Sequence, residues 1–345
     1  MAEKLIKRGK VWYYRFTDAN GKRVMRRGCT DKRATEEMAR AAEIEAAKIR
    51  AGLIDPKEAA YRGHEAKPLA DHLADWRAFL LGRDRSRRHA DEGHARVAKL
   101  MTLAKADRLS DLVLTRVQAA LAALRDEGLS LRTVHHYARL VKNFTKWAWR
   151  DGRTREDLLA HLQPPDNPES DRRRVRRALT VPELARLIEA AESGPVRRQL
   201  SGIDRAMLYR ITAGTGFRSE EMQSLTPESF DLDGSCPTIT VEAADSKRRR
   251  RDVQPIQPAL ASLLRPWLAG RPQSQPVFPV DRWAILEALK ADEAAAGIAY
   301  KNEEGFADFH ALRHTYLTLG GQAGIDLRTL QELAGHSTPA LTARY

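Results

Sequence analysis

Four short patterns in the last half of the chain gather side chains that can hold negative charge or move a proton. Gly214-Thr215-Gly216-Phe217-Arg218-Ser219-Glu220-Glu221 offers a guanidinium among acidic neighbours, and Asp245-Ser246-Lys247 offers an ammonium. His310-Ala311-Leu312-Arg313 pairs an imidazole with a second guanidinium. Leu333-Ala334-Gly335-His336-Ser337-Thr338-Pro339 adds another imidazole, and Tyr345 follows nine residues after His336. A guanidinium is a planar fork of donors that keeps its proton, so Arg218 and Arg313 suit an anion whose charge grows as it reacts. Preorganised donors aimed at such charge are the main source of rate, and His336 would add a third. A phenol with pKa near 10 is phenolate only about one part in a thousand at pH 7, so Tyr345 would need a base to act as nucleophile.

Each pattern also has a plain reading. Arg218 alone is a surface arginine beside a helix start, Lys247 a solubilising charge on a turn, H-x-x-R a chance pair, and Tyr345 a packing aromatic. His314 reads as a packing histidine that points away from His310 and Arg313. The order of the patterns carries more than any one of them.

The elements that would position these groups can be read locally. Two glycines, Gly214 and Gly216, break an incoming helix, and Ser219 with two acidic residues opens the next, which sets Arg218 at a sharp bend. Lys247 sits at the tip of a short β region running from Thr238 to about Ile256. Three-residue spacing on a helix puts His310 and Arg313 on one face. Gly335 stops a helix running from about Leu327, and Thr338 caps another with Pro339 at its first position. His336 is thereby held in a tight corner, with Tyr345 about two turns into the following helix.

Arginine, lysine on a β-turn, H-x-x-R, G-H and tyrosine nine residues on, in that order, resemble the tyrosine recombinase family of phage integrases. The resemblance covers the catalytic segment, about half the chain. It implies a nucleophilic Tyr345 that forms a 3′-phosphotyrosine, with Lys247 as general acid for the leaving 5′-oxygen. It places His310 in the site as proton acceptor or phosphate-side partner without fixing which. Glu221 matches an acidic position that orients its neighbours, and a structural salt bridge serves as well. No cofactor is implied: the chemistry conserves bond energy, and the sequence has neither a Walker loop nor a nuclease-like carboxylate cluster.

The rest of the chain agrees with a nucleic-acid partner. The formal charge of +13 over 345 residues, with a pI of ≈ 9.9, makes a long polyanion the default partner. Basic residues cluster at Arg83 to Arg88, Arg172 to Arg177 and Lys247 to Arg251. Cys29 and Cys236 lack metal-ligand spacing and read as thiols in a reducing compartment, so no metal is expected; the family resemblance implies a cytoplasmic, DNA-associated location in a bacterial host cell. No stretch of about 18 uncharged apolar residues occurs, so no membrane partner is expected.

The fold class expected is multidomain, mainly α with small β-sheets. Residues 1–62 read as a β-sheet plus helix: Val11 to Phe16 is aromatic and β-branched, Asp18-Ala19-Asn20-Gly21 a turn, and Lys32 to Arg50 strongly helix-forming, with Gly52 and Pro56 ending the segment. This segment resembles the family's arm-site-binding domain, although Trp12, Tyr14 and Phe16 would equally form a small core. Residues 66–162 read as helical and resemble the core-site-binding domain. Ser130 is an N-cap there, and Val134, Tyr137, Val141, Phe144 and Ala148 form a buried stripe. Arg139, Lys142 and Lys146, with His135, lie largely off that stripe and suit a solvated face and a DNA-contacting face equally. Residues 163–177 read as a basic linker whose Arg172, Arg173, Arg174, Arg176 and Arg177 would contact DNA, or serve a disordered tether. Residues 178–345 are the mixed α/β catalytic domain, opening on a capping box at Thr180-Val181-Pro182-Glu183.

The partners implied are double-stranded DNA with core-type and arm-type sites, a tetramer of this chain on DNA, an excisionase and a host DNA-bending protein. The leading function is integration or excision of a phage or mobile element. A chromosome-dimer resolvase, a type IB topoisomerase-like enzyme and a non-catalytic DNA-binding regulator are the alternatives. Family members usually continue past the tyrosine, so the sequence reads as truncated after Tyr345 and is expected to form tetramers poorly.

Overall fold

A computed structural model describes residues 5–83, 86–166, 171, 173–246 and 249–343. It divides into two compact units, Met1–Arg172 and Arg173–Tyr345.

The first unit opens with an antiparallel sheet of β1 (Ile6–Arg8), β2 (Val11–Thr17) and β3 (Arg23–Arg27), in that order. The Asp18 carboxylate accepts from the N–H groups of Asn20 and Lys22, and Gly21 takes the left-handed backbone (φ +79°) that the turn requires. Alternation along β2 sends Tyr14 and Phe16 inward against Ala42 and Ala46 of α1 (Lys32–Arg50), which is capped by Asp31.

The sheet and α1 end before Pro56, as expected, but Pro56 also opens a further helix. With Asp55 as N-cap it occupies the first turn of α2 (Pro56–Ala66), where its missing N–H costs nothing. The boundary expected between 62 and 66 therefore falls inside or at the end of a helix. Arg155 holds that helix by ion pairs to Glu58 and Glu65 at 2.6 and 2.8 Å and lies over the Tyr61 ring.

Four longer helices follow: α3 (Leu69–Gly82), α4 (Arg87–Leu103), α5 (Leu114–Asp126) and α6 (Leu131–Arg150). Ser130 caps α6 by accepting from the Thr133 N–H, and the stripe of Val134, Tyr137, Val141, Phe144 and Ala148 is buried in a core shared with Trp76, Leu100, Val117 and Leu124. Arg153 joins the ends of this bundle, donating to Asp75 and Asp151 and to Nδ1 of the fully buried His72.

In the second unit Thr180 and Glu183 form the expected capping box of α7 (Val181–Glu192). It is followed by α8 (Gly202–Thr215), α9 (Ser219–Ser224) and a sheet of β4 (Phe230–Asp231), β5 (Thr238–Val241) and β6 (Asp252–Pro255). Then come α10 (Pro258–Leu268), α11 (Arg282–Ala295), α12 (Phe309–Gln322), α13 (Leu327–Ala334) and α14 (Pro339–Thr342). Leu187, Leu208, Ile211, Met222, Ile239, Phe278, Leu289 and Leu312 share one core. The buried Arg205 of α8 pairs with Asp292 of α11 at 2.7 Å, and the Tyr209 hydroxyl donates to the same carboxylate. Among the described residues no helix is long and apolar enough to cross a membrane.

Candidate active site

Gly214 stays inside α8; it is Gly216, with φ +69°, that ends the helix. The chain then passes through Phe217, and α9 opens at Ser219 as expected, with Arg218 as its N-cap. Glu221 reaches back from the first turn. Its carboxylate accepts from the Arg218 backbone N–H at 2.8 Å and from the Arg218 guanidinium at 2.7 Å. Glu221 is buried while Arg218 is partly open, so the acid holds one terminal nitrogen of a guanidinium that remains partly exposed.

Arg313, on α12, is only 2% exposed. Its guanidinium donates to the carbonyls of Gly216 and Ala334, which are orphaned at the C-terminal ends of α8 and α13. One side chain thus joins the bend that carries Arg218 to the corner that precedes His336. Arg218, Glu221, Arg313, Gln254 and Gly335 line a single cleft of about 250 Å³.

Gly335, left-handed at φ +61°, ends α13 and turns the chain at His336, whose N–H donates to the Gln331 carbonyl at 3.0 Å. His336 Nδ1 lies 2.9 Å from the Thr342 hydroxyl. His310 is half-buried one turn before Arg313. Burial, then the guanidiniums of Arg176 and Arg313, push it down to about 3, so it is a neutral imidazole at physiological pH. His314 does not point away from it. Four residues apart on α12, the two rings lie 5.8 Å apart, and burial pushes His314 down to about 4.

Lys247, Tyr345 and Arg172 lie outside the described residues. At the base of the β5–β6 hairpin the Ser246 hydroxyl donates to Asp252 at 2.7 Å.

Most of the arginines read as a DNA-contacting linker are engaged otherwise. Arg177 is 6% exposed and forms a two-pronged pair with Glu183, both contacts at 2.9 Å. Arg176 pairs with Asp308, and its segment runs beside Phe306 as a parallel bridge. Arg174 reaches Asp308 at 3.1 Å and the Tyr300 hydroxyl at 2.8 Å. Their partners stand more than a hundred residues away for Arg174 and Arg176, which is why the sequence cluster looks unpaired. Arg173 is exposed. In the first unit Arg139 and Lys146 are exposed, whereas Lys142 donates to the carbonyls of Ala160 and Leu162.

The Phage integrase family matches residues 177–345. The tyrosine recombinase XerC of Rhodospirillum centenum is 30% identical over 251 residues, covering 69% of this chain and 68% of that protein. The chain belongs to the tyrosine recombinase family. It is a site-specific recombinase, of the enzymes that cut and rejoin DNA. XerC of Mycobacterium tuberculosis is 27% identical over 285 residues, or 80% of this chain and 93% of its own. The multidomain recombinase fold agrees with that of a lambda integrase dimer bound to a COC′ core site, with TM-score 0.64 at 19% identity over 99% of this chain and 93% of that one. The Tn1549 transposon integrase in complex with transposon right end DNA gives TM-score 0.61 at 17% identity over 81% and 94%.

Proposed function

We propose that this recombinase integrates or excises a mobile element, through a cleft in which Arg218 and Arg313 hold the scissile phosphate. The convergence of both arginines on one cleft, with the His336 corner pinned to the same Arg313, is the observation that carries this reading. In it the Tyr345 oxygen attacks phosphorus, the phosphorus–5′-oxygen bond breaks, and a 3′-phosphotyrosine forms. Arg218, Arg313 and His336 receive the charge that builds on the non-bridging oxygens. His310, neutral in the DNA-free protein, is able to accept the phenol proton, and an arriving phosphate anion offsets the repulsion from Arg176 and Arg313 that disfavours the imidazolium. Lys247 protonates the leaving 5′-oxygen. Attack by a 5′-hydroxyl of another strand reverses each step.

The N-terminal sheet supports an integrase over a simple resolvase. Its face away from α1 carries Tyr13 and Arg15 of β2, with Arg27 paired opposite Tyr13 and Arg8 lying 5.6 Å from the Tyr13 ring. A cationic and aromatic sheet face suits a groove of duplex DNA, so residues before α2 are assigned to arm-type sites and the helical bundle to core-type sites. Arg139 and Lys146 are the bundle residues kept as DNA contacts, and Arg173 and Arg172 those of the linker. As with the lambda integrase solved as a tetramer bound to a Holliday junction, the working assembly is a tetramer on paired sites, aided by an excisionase and a host DNA-bending protein. The XerC relatives favour chromosome-dimer resolution as the second reading.

Covalent capture on genomic DNA tests this. Denatured complexes should carry protein on 3′ ends whose sequences define one core site at the boundary of a mobile element, and Tyr345→Phe should bind that site without forming an adduct. Ends at a chromosomal terminus site would favour the resolvase; an adduct formed by Tyr345→Phe would reject the nucleophile.

A further inference from the structure

Tyr316 lies on α12 three residues after Arg313, on the same helical face. Its ring fills the space above Gly216: a Cβ built there would stand 2.6 Å from Tyr316 Cδ1 and 3.2 Å from Cε1. Its hydroxyl accepts a 2.7 Å hydrogen bond from Nε2 of Gln254, which is 4% exposed on β6 and lines the same cleft as Arg218 and Arg313. Three elements therefore meet at one side chain. They are the bend that presents Arg218, the strand β6 that follows Lys247 in the chain, and the helix that carries His310 and Arg313.

We propose that Tyr316 is a positioning residue for DNA cleavage, its ring fixing the Gly216 bend and its hydroxyl fixing strand β6 against α12. A packing aromatic would need no polar partner, and phenylalanine would fill the same volume. Here the hydroxyl meets a buried amide that would otherwise lose a hydrogen bond inside the protein. The ring and Arg313 also act on one residue from two sides: Arg313 holds the Gly216 carbonyl and Tyr316 occupies the side where a Cβ would lie. Burial pushes the Tyr316 hydroxyl up, which keeps it neutral and separates it from the nucleophile's role.

The consequence is a coupling between groups that must act in one step. Arg218 caps α9 and Arg313 lies on α12, while β6 is the strand that follows Lys247 in the chain. A displacement of about 1 Å between reacting groups costs about a hundredfold in rate, and Gln254 and Tyr316 form a polar contact between β6 and α12.

The inference rests on the proposed role of Arg218 as a phosphate donor, and the test separates the two. The full chain is assayed on a nicked suicide duplex carrying the core site recovered by covalent capture, reading single-turnover adduct formation, duplex affinity and melting temperature. Tyr316→Phe and Gln254→Met should each slow adduct formation by about tenfold with affinity near that of the unsubstituted chain; Tyr316→Phe should also melt a few degrees lower, the cost of one unpaired buried amide, and the double variant should be no slower than the slower single one. Adduct formation by Tyr316→Phe at the full rate would overturn the proposal, as would losses that multiply in the double variant. Arg218→Ala run beside them reports on the underlying reading. If it cleaves normally, the phosphate-donor assignment falls; if it is slow while Tyr316→Phe is fast, only the positioning role falls.

Discussion

Arg176 Nε donates to both carboxylate oxygens of Asp308 at 2.9 Å. Asp308 is the N-cap residue of α12, two positions before His310, so the pair anchors the segment at residues 174–177 to the start of the helix that carries His310 and Arg313. Asp308→Asn keeps the shape and removes the charge, leaving Arg174 and Arg176 without their shared anion. The loss should be about 1 kcal/mol of stability, because the asparagine oxygen still accepts one bond and both arginines reach solvent. Urea unfolding that shows no change would mean that solvent already screens the pair.

Glu293 is 1% exposed on α11, and its carboxylate oxygens have no hydrogen-bond partner among the described residues. Burial is the main cause that pushes its pKa up to about 8, with Asp308 adding to it and Arg177 opposing it. The folded protein therefore keeps a proton that the unfolded chain releases above about 4.5, so stability is lost as pH rises from there through about 8. Glu293→Gln mimics the protonated form. It should flatten that limb, and its melting temperature should overtake that of the unsubstituted chain above pH 8. His310 and His314 act in the opposite window: depressed to about 3 and about 4, they withdraw stability as pH falls below about 6.5. Parallel melting curves across pH 5–9 for the glutamine variant would show that Glu293 is ionised throughout.

Local signals in the sequence located most of the elements but few of the partnerships. The ranges of α1 and α13, the Ser130 cap, the Thr180–Glu183 box and the Gly335 turn each depend on residues within one helical turn, and each stands as read. Gly52 and Pro56 end the sheet and its helix as read, but the helix that Pro56 begins depends on the Asp55 cap, which was not read. The roles of Arg174, Arg176 and Arg177 depended on Tyr300, Asp308 and Glu183. Two of those are distant in sequence, and spacing gives no account of them. His310 and Arg313 were legible as a pair, while the burial of Arg313 against two helix ends was not. The Tyr316–Gln254 contact joins positions 62 apart, and nothing in either residue's neighbourhood announces it.

The two arginines should therefore differ on substitution. Arg218→Ala and Arg313→Ala should each slow cleavage by roughly two to three decades, the scale of losing one transition-state donor. Arg218→Ala takes the cation from the Glu221 carboxylate but leaves it the backbone N–H bond, whereas Arg313→Ala strips the Gly216 and Ala334 carbonyls of a buried donor and should melt the lower of the two. Equal melting temperatures for the two variants would contradict the scaffold role of Arg313.

The placement of α2 sets where the N-terminal segment can be cut. A chain beginning at Asp55 loses the sheet and α1 but keeps α2, with its pairs from Arg155 and the His64 carbonyl that His72 Nε2 contacts at 3.1 Å. It should cleave a core site at nearly the full rate while losing affinity for arm-type sequences. A chain beginning at Lys67 also loses those contacts. The exposed ion pairs contribute little, but His72 is fully buried, and stripping the acceptor from its ring exposes a bundle end packed around Arg153. That shorter chain should melt several degrees lower and bind core DNA less well. Equal stability of the two would place α2 with the sheet, and return the boundary to residues 62–66.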